Sequence, residues 1–193
     1  MEEFETTMTK VVVACLGDQE STAAIQHWAA RGDVIAVAFD FGGAVSLNAM
    51  RELAVAAGAV RCHALDVREE FAREILVPAS RSGLFADPAS AIPGLAAPFV
   101  AGRLQEIARA EQATCVLPHH VHVTRRPVAR PAVNPLHVDI RFEEGVPVAI
   151  NGVDMTLTEL LESIETITGE PALAVLQRAG GGELTAPADS QIA

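Results

Sequence analysis

After a polar start the chain enters an unbroken apolar run, Val11-Val12-Val13-Ala14-Cys15-Leu16, and a similar run returns at Val34 to Phe39, while Val60 to Leu65 and Thr114 to Pro118 read as two further strands. Runs this short, rich in β-branched residues and lacking polar alternation, predict strands buried on both faces. Between them the apolar positions switch to helical spacing. Ser21 to Arg31 predicts a helix stopped by Gly32, Leu47 to Ala57 one closed by Gly58, Arg68 to Val77 one ending near Pro78, and Phe99 to Glu111 a fourth. Residues 80–97, rich in Ser, Ala, Pro and Gly, read as a long loop. Strands alternating with helices imply right-handed crossovers, so the fold class is α/β: a doubly wound parallel sheet covered on both faces. Ligands of such sheets bind at the carboxyl ends of the strands, near the topological switch point. That rule draws the loops at 15–20, 40–44 and 118–124 around one crevice.

The pattern breaks after Thr124. Arg125 to Pro135 carries three prolines among three arginines, which predicts an extended linker over 125–136. His137 to Phe142 then alternates, Glu143-Glu144-Gly145 turns, and Val146 to Asn151 returns, predicting a β-hairpin. Thr156, with Glu159 three residues on, forms a capping box for a helix reaching Thr168. Its apolar residues Leu157, Leu160, Leu161, Ile164 and Ile167 keep helical spacing. A hairpin and one such helix cannot bury their apolar faces alone, so they must rest on the first domain or on a second subunit. The expected organisation is a nucleotide-binding-like domain over 1–124, the linker, a packing or oligomerisation appendage over 137–179, and a disordered tail over 180–193.

Composition narrows the function classes. At 193 residues the chain holds one domain and a small appendage, with a core of Ala, Val, Leu and Ile because it has no Tyr and a single Trp. A formal charge of −11 argues against non-specific nucleic-acid or anionic-membrane binding. No apolar run reaches the roughly 20 residues of a membrane span. The acidic start lacks the basic and apolar stretches of a secretion signal. Cys15, Cys62 and Cys115 are widely separated, as in a reducing compartment. The expectations are a cytoplasmic location and, as partners, a small-molecule ligand and further copies of the chain in a dimer or tetramer.

The turn Leu16-Gly17-Asp18-Gln19-Glu20-Ser21-Thr22 sits between the first strand and the first helix, where backbone N–H groups and a helix N-terminus can hold phosphate. It keeps one glycine, and the carboxylates of Asp18 and Glu20 would repel a polyphosphate. The ligand-holding candidates are Gly17, Asp18, Ser21 and Thr22, joined by Asp40 and Gly42 beyond the second strand. His119, His120 and His122 follow the fourth strand. In an extended segment His120 and His122 face the same side, where they can share a metal such as zinc, with a third ligand from Cys15, Asp40 or His137, or act as acid–base groups. Cys15 is a candidate thiolate near a helix N-terminus, opposed by Asp18 and Glu20. The catalytic candidates are therefore His120, His122 and Cys15. The linker arginines Arg125, Arg126 and Arg130 are a candidate anion contact.

Several blocks resemble the argininosuccinate synthase family. They are Val34-Ile35-Ala36-Val37 through Asp40 and Gly42, the run Asp66 to Phe71, Gly102 to Arg109, and, in the hairpin and helix, Phe142 to Val153 with Met155 and Glu159-Leu160. The resemblance implies an adenine-nucleotide alpha-hydrolase-like (HUP, PP-loop) fold. It also implies chemistry on ATP, citrulline and aspartate through a citrulline-adenylate, an adenine nucleotide as cofactor, and a homotetramer. The departures lie in the functional loops. The family's phosphate loop reads Ser-Gly-Gly-Leu-Asp-Thr-Ser, against Leu16 to Thr22 here. Its Ala-Arg-Pro is Ala96-Ala97-Pro98, and its His-Gly-Cys-Thr-Gly-Lys-Gly-Asn-Asp is replaced by Pro118 to Arg126. Much of the segment that recognises citrulline and aspartate has no counterpart. The expected function is a divergent relative that binds a nucleotide or small metabolite in the old crevice, repurposed for a specialised biosynthetic step. The alternatives are a non-catalytic oligomeric relative and a residual ATP-dependent ligase. If the chain is an enzyme, it is not expected to perform ordinary argininosuccinate synthesis.

Overall fold

The computed structural model of the chain describes residues 9–43, 45–82, 88–121 and 138–179. The expected linker over 125–136 and tail over 180–193 lie outside them. The described residues divide by contact into two compact units, Met1–Val67 with Pro93–Arg126, and Arg68–Ile92 with Pro127–Ala193. The sequence reading assigned Arg68–Ile92 to the first domain. By contacts it belongs with the C-terminal hairpin and helices.

The first unit is built on four parallel strands, β1 (Val11–Cys15), β2 (Val34–Asp40), β3 (Arg61–Asp66) and β4 (Thr114–Val116), in the order β3-β2-β1-β4. β1 is buried at every residue and β2 at all but its last, which is why both read as unbroken apolar runs. The chain steps outward from β1 to β2 to β3, then returns to the far side of β1 to add β4. The strand order therefore reverses between β1 and β4. Helices α1 (Gln19–Ala29) and α2 (Leu47–Ala56) pack on one face through Ile25, Met50 and Ala54, against Val11, Val13 and Cys15.

Three elements differ from the sequence reading, each for a local reason. α1 opens at Gln19 rather than Ser21, because the Asp18 side chain accepts the Ser21 N–H and so makes Asp18 the N-cap. Gly32 does not end that helix, which closes at Ala29. It is required by space: a Cβ there would lie 2.1 Å from the Thr9 carbonyl oxygen. The expected loop over 80–97 is largely helix, since α5 runs from Pro88 to Ala110. Pro88 stands at the first position, where a missing N–H is harmless. The interior Pro93 and Pro98 are outweighed by the stripe Ile92, Ala96, Phe99, Val100 and Leu104, all buried at helical spacing.

In the second unit, α3 (Arg68–Phe71) continues through a π-helical stretch, Ala72–Leu76, into α4 (Val77–Ser82). The arm thus runs past Pro78 instead of stopping there. The wide turn, in which the Val77 N–H reaches the Ala72 carbonyl, makes room for the proline ring. Strands β5 (Ile140–Glu143), β6 (Val146–Ile150) and β7 (Val153–Asp154) form an antiparallel sheet. Its two tight turns, Glu144-Gly145 and Asn151-Gly152, place all four residues at positive φ, as two-residue hairpin turns require. The helices α6 (Leu157–Thr168) and α7 (Ala172–Ala179) complete the unit. The apolar stripe of α6 is covered within the chain: Leu157, Leu160, Leu161 and Ile164 are buried, and α6 packs on β6, α7 and the helical arm. That face does not need a second subunit.

The capping box of α6 is present as expected, and Glu69 of α3 adds to it. Its Oε2 accepts both the Thr158 N–H and hydroxyl at 3.0 Å, while Arg73 pairs with its Oε1 at 2.9 Å. Burial alone pushes the Glu69 carboxyl up, but these donors together hold it below the ordinary glutamate range. A carboxyl lowered by folding contributes stability above its unfolded pKa and loses it as pH falls through the folded value. Glu69→Ala is expected to cost about 1 kcal/mol at neutral pH. The gap between variant and wild type in urea titrations closes as pH drops below about 4.3.

Candidate functional site

The reversal of strand order leaves a groove beside β1 and β4, roofed by α1, with a volume of about 340 Å³. Val13 and Val116, paired across the two strands, form part of its floor. Asp18, Glu20, Ser21, Ala24, His27 and Trp28 line it from α1 and its cap, and Leu117, Pro118, His119 and His120 from the segment after β4. Steps of three and four residues from Glu20 and Ser21 through Ala24 to His27 and Trp28 place these side chains on one face of α1. The Trp28 ring meets His27 edge-to-face, with centroids 5.5 Å apart and planes at 83°.

At the phosphate-loop position the turn closes on its own atoms. Asp18 Oδ1 accepts the Ser21 N–H at 2.7 Å, and the Asp18 carbonyl accepts the hydroxyls of Ser21 at 3.2 Å and Thr22 at 2.8 Å. The Leu16 N–H is in turn donated to Ser21 Oγ at 3.1 Å. The positive end of the helix thus holds a carboxylate of its own chain. Gly17, at φ +76°, supplies the left-handed turn that makes this possible.

The other candidates separate. Asp40 ends β2 and Gly42 lies just beyond it, where the Gly42 N–H is donated to Asp40 Oδ1 at 2.7 Å, and neither lines the groove. Phe41 between them stacks on Phe39 and meets Phe99 edge-on. Cys15 is fully buried, with its Sγ 3.4 Å from the Met50 carbonyl. Burial pushes its thiol up, opposed by the Gly17 N–H aimed at the sulfur and reinforced by Cys62 and Asp18. Burial of this kind works against the thiolate, the form that attacks or ligates. His120 is exposed on the groove wall beside His119. His122, His137 and the linker arginines lie outside the described residues, and among those described no cluster of three or more His, Cys, Asp or Glu is placed to hold a metal. His27 and Trp28 escaped the sequence reading, although their spacing from Glu20 was legible.

A parallel sheet of this order, with a groove at its switch point, is a HUP-type α/β domain. A model of the Arginosuccinate synthase N-terminal HUP domain matches residues 10–122, and the chain belongs to the argininosuccinate synthase family. The argininosuccinate synthase of Syntrophus aciditrophicus (strain SB) is 37% identical over 117 residues, 58% of this chain and 29% of that protein. Those of Geobacillus sp. (strain WCH70) and Streptococcus suis (strain 05ZYH33) are 35% and 32% identical, over 57% of this chain and 28% of theirs. The chain spans under a third of the length of these relatives.

Proposed function

We propose that this chain is a repurposed member of the family that binds a small metabolite in the groove between α1 and β4 and no longer grips a triphosphate. The observation that carries this reading is the self-capped turn. Asp18 takes the Ser21 N–H, and its carbonyl takes both hydroxyls that a phosphate would use. Each charge-assisted contact to a phosphate contributes about 1.5–3 kcal/mol, so losing several removes most of the affinity for ATP. The carboxylates of Asp18 and Glu20 add repulsion. His119 and His120, exposed on the groove wall, are the groups suited to move a proton to or from a bound molecule.

Calorimetric titration with ATP and with AMP tests this directly. The expected result is no saturable heat with ATP, and no argininosuccinate formed from ATP, citrulline and aspartate. Micromolar ATP binding overturns the proposal. Mass spectrometry of small molecules carried through purification is expected to show a phosphate-free compound in the wild type that is depleted when Ala24→Trp fills the groove.

A further inference from the structure

We infer that the groove selects an organic cation with a flat apolar body, an ammonium or amidinium compound, over neutral and anionic counterparts of the same shape. The inference rests on the reading that the groove is the ligand site. With histidines counted as neutral, the formal charges among the described residues that line it are the carboxylates of Asp18 and Glu20, with no Lys or Arg among those described residues. The usual seat for an anion, the N-terminus of α1, is occupied by Asp18. An anionic ligand would therefore meet two carboxylates, with no cation among the described lining residues to offset them. A cation meets the same carboxylates as partners, and it has the indole of Trp28 alongside, the best aromatic face for a positive charge. The edge-to-face contact with His27 orients that indole. The remaining wall (Val13, Ala24, Val116) is apolar and suits a ring. A volume of about 340 Å³ is at the small end for ligand pockets, enough for one ring and a short arm. The chain's net charge of −11 further raises the local concentration of cations.

Trp28 is the only tryptophan of the chain, and there is no tyrosine, so its fluorescence reports the groove alone. The full chain is titrated with 2-phenylethylamine, 2-phenylethanol and phenylacetate, which share a ring and differ in charge. The expected result is a saturable change with the amine, at least roughly tenfold tighter than with the alcohol, and none with phenylacetate. Glu20 is exposed in the first turn of α1 and makes no cap, so Glu20→Gln keeps the fold; it is expected to remove most of the amine's advantage. Equal binding of amine and alcohol, or tighter binding of phenylacetate, overturns the choice of a cation while leaving the groove as the ligand site. An unresponsive Trp28 with all three probes overturns both.

Discussion

Phe39→Ala is expected to destabilise the sheet unit by about 3–5 kcal/mol. Phe39 is 2% exposed at the last interior position of β2, and its ring lies 6.3 Å from that of Phe41, which in turn meets Phe99 at 6.2 Å. Truncation loses the transfer free energy of the ring and leaves a cavity beside a rigid parallel strand that cannot collapse into it. Against a total stability of about 5–15 kcal/mol the loss is severe. Guanidinium titration reads it as a lower midpoint with an unchanged slope. Phe39→Leu, which keeps most of the volume, is expected to cost less than half as much. A loss below about 1 kcal/mol for the alanine variant would show that the aromatic cluster contributes little beyond surface coverage.

Leu160→Ala is expected to cost about 2–5 kcal/mol in the second unit. Leu160 is fully buried on α6, within the stripe that also holds Leu157, Leu161 and Ile164. The sequence left this stripe to rest on the first domain or on a second subunit, whereas the structure covers it with β6, α7, α3 and the π-helical stretch Ala72–Leu76. The two arrangements predict different behaviour. An internal core loses the same stability at every protein concentration. A subunit interface makes the midpoint rise with concentration, because association is linked to folding. Denaturation of the variant and wild type at two concentrations a hundredfold apart is expected to show no such shift.

Much of the fold was legible because its signals are local. Unbroken runs such as Val34 to Phe39 are what a strand buried on both faces must look like, and Thr156 with Glu159 is a complete helix start within four residues. Errors arose where a local signal was overruled. Pro93, Gly94 and Pro98 argued for a loop, yet Ile92, Ala96, Val100 and Leu104 gain enough by burial to keep the helix. β7 was missed although Asn151-Gly152 is a strong hairpin signal, and α7 because its eight residues hold only two helical turns. At the site, the acidic turn and the histidines after β4 were readable as residue types. Their partners were not.

The sequence alone determined that this chain makes a parallel α/β layer, and that the turn between its first strand and first helix carries the carboxylates of Asp18 and Glu20. Those features depend on residues adjacent along the chain, so spacing and residue type suffice to state them. Only the tertiary structure decided which groups share the groove. β4 returning beside β1 brings His119 and His120 to Trp28, while the inward face of β1 buries Cys15 against Met50. Such neighbours are set by strand order and by the face on which each side chain emerges, and neither is encoded in any short stretch of residues.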